Sequence, residues 1–194
     1  MGPAGACPRH AEHRACERAG YASLMQALDV LRTLLLYHLV ELLQGGHATR
    51  IVVRLDPELG IVTCDDGRGM GIDRSIGGRP YLDLVLGQLD LLDGDEDLQP
   101  EHLQLHAVGI SLMARECRSL RVTIDRAGER REGSWSADSA RWEWRASEPI
   151  STHGTCFAAM PRAGLPDASA ARTLVESLEA RCGRPGAIQL TQGT

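Results

Sequence analysis

Asp65-Asp66-Gly67-Arg68-Gly69-Met70 follows the alternating apolar segment 60–64, so the chain carries a carboxylate from the end of a strand directly into a glycine-rich turn. Glycine lets the backbone of such a turn come close to a flat ligand, and the carboxylate beside it is a fixed, charged acceptor. Immediately upstream, segments 50–55 and 60–64 are joined by Asp56-Pro57-Glu58-Leu59, which reads as a hairpin. Before the hairpin, Leu24, Leu28, Leu31, Leu35, Leu39 and Leu42 recur at helical spacing, and Gly45-Gly46 supplies the stop, so residues 22–44 read as one long helix.

Downstream, a loop carrying Gly67, Gly69, Gly71, Gly77 and Gly78 leads to an expected helix over about 80–92. The acidic run 93–97 has the composition of a solvated surface loop, and 106–117 reads as a further helix. Strand patterns then cluster at 120–124, 131–136, 141–144 and 155–159, separated by short polar turns that favour antiparallel pairing. Residues 168–181 form a last helix, followed by Gly183 and a short strand at 187–190. The expected class is α+β, a two-layer α/β sandwich whose mostly antiparallel mixed sheet is covered on one face by helices. Residues 21–190 make its single domain, and 1–20, rich in Gly, Pro, Arg and His, read as a flexible N-terminal arm.

Composition narrows the function classes. With 194 residues and 43% apolar content the chain can bury one sizeable core. Its basic residues are all arginine, 21 against 26 acidic residues, and the net charge of -5 gives no general attraction to a nucleic-acid backbone. The longest apolar run, Leu34 to Tyr37 followed by Leu39-Val40, is too short for a bilayer, and the N-terminus carries His, Glu and Arg where a secretory signal needs an apolar block. A cytoplasmic protein with neither a nucleic-acid nor a membrane partner is expected. Cys7, Cys16, Cys64, Cys117, Cys156 and Cys182 lack the dense spacing of a disulfide framework and read mostly as reduced, buried thiols, Cys64 among them.

Helix, hairpin, DDGRGM, helix, Leu105-His106-Ala107-Val108-Gly109, strands, His153-Gly154-Thr155, then helix and strand: this order resembles that of the GHKL ATPases. Within that superfamily the chain is most similar to the N-terminal ATPase domain of the DNA gyrase B subunit, over residues 22–190. The resemblance implies a Bergerat-type fold and an adenine pocket. Asp65 matches the carboxylate that accepts the exocyclic amino group of adenine, Gly67 and Gly69 the glycines that approach the base, and Met70 the apolar residue that covers it. Thr155, with Gly154 beside it, matches the threonine that joins the pocket from a neighbouring strand, and Arg68 an arginine at its mouth.

The phosphate half matches poorly. The sequence contains no asparagine and no lysine, the residue types that ATP-hydrolysing members use for magnesium and for the terminal phosphate. A gapless alignment through residues 41–47 sets His38 where the family has its magnesium-binding asparagine and Leu34 where it has the catalytic glutamate. It also sets Leu42 opposite Arg68, where the family has a glutamate, although a small shift of the helix lets Glu41 serve. Of the lid's phosphate cradle only Gly109 is retained. The resemblance thus implies a domain without a transducer domain and without the family's hydrolysis machinery, its cofactor an adenine nucleotide held without magnesium-dependent turnover or a small molecule like one. A homodimer or a regulatory protein partner fits such a role.

Leu34, His38 and Glu41 share a helical face at i, i+4 and i+7, which the resemblance sets opposite Asp65. Two readings stay open. His38 fills the space of the asparagine and hydrogen-bonds a carboxylate, or His38, Glu41 and Asp65 are acid/base groups of an enzyme rebuilt in the nucleotide pocket, an isomerase, cyclase or lyase acting on a small molecule in specialised metabolism. Cys7, His10, His13 and Cys16 are zinc-ligand types, but in a helix they drift by about 60° per step and do not converge without a bend, so a metal-free arm is the favoured reading. Trp142 and Trp144 alternate onto one strand face and read as buried sheet surface.

Overall fold

The computed structural model describes residues 26–43, 47–76, 78–80, 113–136, 141–148 and 152–192, with positions 82, 86 and 110. The N-terminal arm with Cys7, His10, His13 and Cys16, the acidic run 93–97 and the lid segment with Gly109 lie outside them.

Among the described residues, helix α1 (Ala27–Leu43) precedes the hairpin β1 (Ile51–Asp56) and β2 (Gly60–Asp65). A small pair, β3 (Ser75–Ile76) and β4 (Arg79–Pro80), follows the glycine turn. Next come β5 (Cys117–Arg126), β6 (Glu129–Ser136), β7 (Arg141–Ser147), β8 (Gly154–Pro161), α2 (Ala168–Cys182) and β9 (Ile188–Gln192). Seven strands form one sheet in the order β7-β6-β5-β8-β2-β1-β9. All neighbours run antiparallel except β1 and β9, which pair in parallel with Ile51 opposite Ile188. This is the expected α+β sandwich with a mostly antiparallel mixed sheet.

Local chemistry explains the element ends. At the β1–β2 turn the Asp56 carboxylate accepts from the Glu58 and Leu59 amides, an Asx turn that Gly60 completes at φ 86°. Helix α2 starts at Asp167, whose side chain caps the Ser169 and Ala170 amides, and stops at Gly183 in the left-handed conformation. The core lies between the sheet and the helices: Val30, Leu31, Leu34, Leu35, Leu39 and Leu42 of α1 pack with Ile51, Val53, Ile61, Leu120, Val122, Ile124 and Phe157 of the strands. Burial of each such side chain is worth about 1.5–3 kcal/mol, which makes this layer contact the main source of stability.

Two readings of the sequence are corrected. The helix expected over 106–117 does not reach its last residue: among the described residues 110 and 113–115 are helical there, and the fully buried Cys117 already pairs with Pro161 at the start of β5, ahead of a bulge. Nor is Cys64 a reduced thiol. It stands opposite Cys156 in the β2–β8 ladder, and the two are joined in a disulfide that bridges 92 residues of sequence. The tryptophans, by contrast, line one face of β6 and β7 and pack against the core, with Trp142 and Trp144 stacked at 5.6 Å.

Candidate functional site

The site forms where β2, β8 and α1 meet. Strand alternation turns Thr63 and Asp65 inward from β2 and Thr155 and Phe157 inward from β8, all of them buried. Helix α1 crosses above this surface and presents His38, which is completely buried. His38 Nδ1 lies 2.5 Å from Asp65 Oδ2, and Nε2 lies 2.9 Å from Thr63 Oγ1. With the proton on Nδ1, the ring donates to the carboxylate and accepts from the hydroxyl, so both nitrogens are used inside the protein. The edges of Tyr37 and Phe157 enclose the imidazole at 5.4 and 5.6 Å.

Asp65 is the centre of the network. Its Oδ1 accepts from the Gly67 amide at 2.8 Å and the Thr155 amide at 3.4 Å. With His38 on Oδ2 the carboxylate receives three donors, and its side chain is closed to solvent, which is how a buried charge is made tolerable. Of about four lone-pair positions, one on Oδ2 has no donor among the described residues. Thr155 Oγ1 accepts from the Met70 amide at 3.1 Å, so the turn is tied to β8 on its far side as well.

The glycines of the motif serve this packing. A Cβ at Gly67 would stand 2.8 Å from Asp65 Oδ1. At Gly69, where φ is 76°, it would stand 2.3 Å from the Asp125 carbonyl oxygen, and at Gly154, where φ is 133°, 2.0 Å from that of Asp65. Arg126, at the end of β5, donates to the Gly69 carbonyl at 3.0 Å and to Asp73 at 2.8 Å, closing the turn from outside. Asp66 turns away and accepts from Thr49 and Arg50. Partial burial pushes its carboxyl upward, but the Thr49 hydroxyl and the Thr49 and Arg50 amides outweigh that and hold it below the usual carboxylate range.

Most of the residues singled out in the sequence therefore gather here: His38, Asp65, Gly67, Gly69, Met70 and Thr155. Arg68 sits at the rim and pairs with Glu41 at 3.2 Å, both side chains partly open to solvent. Glu41, not Leu42, is its partner; Leu42 is buried in the core. Glu41 is directed to Arg68 rather than to His38. Leu34 is fully buried within the core cluster. Thr63 was not singled out, although it precedes Asp65 by two and so shares its face. Arg126 carries no comparable signal, since only the β5–β8 pairing brings it to the turn.

No protein-family model matches the chain, and no curated protein matches its sequence. Its fold matches that of the 43K ATPase domain of Thermus thermophilus gyrase B, solved in complex with an aminocoumarin, with a TM-score of 0.69 and 18% sequence identity over 95% of this chain and 48% of that one. The chain thus has the GHKL fold and spans about half the length of that gyrase domain. No helix among the described residues is long and apolar enough to cross a membrane.

Proposed function

We propose that this domain binds an adenine nucleotide, or a planar small molecule that presents a similar donor edge, without hydrolysing it. The observation that carries the reading is the Asp65 network: a carboxylate held by Gly67, Thr155 and His38, with one acceptor position that has no donor among the described residues; the resemblance of the sequence implies that this carboxylate is the one that accepts from adenine. Gly109 and Leu34 complete the proposed ligand-binding set with Gly67, Arg68, Gly69, Met70, Thr155, His38 and Asp65. The aminocoumarin in the gyrase B structure supports a ligand other than a nucleotide in this fold.

Three features support binding without turnover. His38 fills the position from which the resemblance would place a magnesium ligand, Leu34 stands at that of the general base, and the 194 residues hold no lysine or asparagine. Use of His38, Glu41 and Asp65 as acid/base groups of a repurposed enzyme is less well supported. A general base needs a nitrogen within reach of substrate, and both nitrogens of His38 face protein groups. We assign the domain to the cytoplasm, acting on a protein partner or as a homodimer.

Thermal shift with ADP and ATP, each with magnesium and with EDTA, tests the reading. Binding at one hundred times Kd stabilises by about 2.7 kcal/mol, a rise of about 5–10 °C for a chain of this size. The expected result is the same rise in magnesium and in EDTA, with no phosphate released from ATP. Absence of a shift for either nucleotide at millimolar concentration removes the adenine form of the proposal, and steady phosphate release removes the non-hydrolysing one.

A further inference from the structure

The Cys64–Cys156 bond lies on the face of the sheet opposite His38, yet it is built into the strands of the site. Cys64 stands between Thr63 and Asp65, the two partners of His38, and Cys156 stands between Thr155, which binds Asp65, and Phe157, whose edge meets the imidazole. Cys64 opposite Cys156 is also the last cross-strand pair of the β2–β8 ladder, which runs from Ile61 opposite Ala159. One residue farther along each strand, Asp65 and Thr155 are held together by a single 3.4 Å hydrogen bond from amide to side chain. Both sulfurs belong to partly exposed residues, so a reductant reaches them without entering the core.

We infer that the Cys64–Cys156 pair is a redox switch for the ligand site: the disulfide pins β2 to β8 where Asp65 and Thr155 meet, and its reduction loosens that junction and weakens binding. The inference rests on the proposed ligand site, whose regulation it names. In cytoplasmic conditions a reversible bond of this kind is a sensing element rather than a permanent staple. The exchange is balanced: a thiolate of a small dithiol attacks one sulfur and forms a mixed disulfide, and the second thiol resolves it. Two electrons and two protons pass to the protein, leaving two cysteine thiols and an oxidised dithiol. Cys117 stays outside this chemistry, since burial pushes its thiol up to about 12.

The experiment compares the full chain, oxidised with diamide and reduced with dithiothreitol. Alkylation and mass spectrometry are expected to find Cys64 and Cys156 linked in the first form and both alkylated in the second. In ligand-free protein, amide hydrogen exchange at Gly67, Met70 and Thr155 is expected to quicken at least tenfold on reduction, with a fall in Tm of about 5–10 °C. With ADP as the probe, affinity is expected to drop at least fivefold. The double variant C64S/C156S should behave as the reduced form and ignore the reductant.

Exchange rates within twofold of each other in the two forms, failure of the cysteines to link under diamide, or a reductant response surviving in the double variant overturns the switch. Should ADP bind neither form, the ligand reading fails, and exchange in the free protein still decides the switch.

Discussion

His38 and Asp65 are in direct contact across the interface of helix and sheet, Nδ1 to Oδ2 at 2.5 Å, with no solvent access to either side chain. The contact couples α1 to β2 at the point where the strand gives way to the glycine turn. Since Asp65 also receives the Gly67 and Thr155 amides, the position of the histidine is transmitted to every element of the site.

Substitution His38→Ala leaves a cavity beside an Asp65 oxygen and a Thr63 hydroxyl that have lost their partner. The expected cost is about 2–4 kcal/mol of unfolding free energy, measured by urea denaturation. His38→Asn returns a donor for Asp65 and should recover part of this loss. Equal stability of wild type and His38→Ala would show that the contact adds nothing.

The glycines separate by their surroundings. Gly69→Ala and Gly154→Ala place a methyl group against backbone carbonyls in addition to the strain of positive φ, so each should cost about 3 kcal/mol or more. Gly128 has a φ of 82°, close to that of Gly69, but open space around it, so Gly128→Ala should cost only about 1 kcal/mol. Thermal unfolding of the three variants tests the order.

Acid should weaken the fold through Asp66. Its folded-state value is lowered, so its contribution is complete above the ordinary carboxylate value of 3.8 and is lost as pH falls through the lower folded one. Asp66→Asn should therefore be less stable than wild type at pH 7, and the gap should narrow below about pH 4. Unfolding curves between pH 7 and pH 2.5 provide the check; a gap that widens in acid contradicts it.

The Arg68–Glu41 pair sits at the rim, with the Arg68 side chain 46% exposed. Glu41→Gln should change stability by less than about 1 kcal/mol. Calorimetric titration with ADP should nonetheless show weaker binding, because Arg68 loses the partner that holds it at the mouth of the site. Unchanged affinity would place Arg68 outside the ligand's reach.

Much of the site was legible because its parts are local. The alternation of residues 60–64 sends Asp65 to the buried face, the glycines announce a turn that a side chain would obstruct, and the leucine period of α1 sets its buried side. Where two readings differed by one residue, local patterns did not suffice. Leu42 and Glu41 are neighbours on one helix, and only the docking of α1 on the sheet, which buries Leu42, turns Glu41 toward Arg68. Cys117 shows the same limit, since its pairing with Pro161 takes a position that helical periodicity would claim.

The sequence by itself determined the order of elements, the α+β class and the strand-to-turn setting of Asp65, because hydrophobic period and turn chemistry act between residues close in the chain. Tertiary structure alone decided that His38 spends both ring nitrogens on Asp65 and Thr63, that Arg126 closes the turn, and that Cys64 meets Cys156. These contacts join residues 25 to 92 positions apart, and they depend on helix docking and strand register. A slip of one residue in that register would send each side chain to the other face of the sheet.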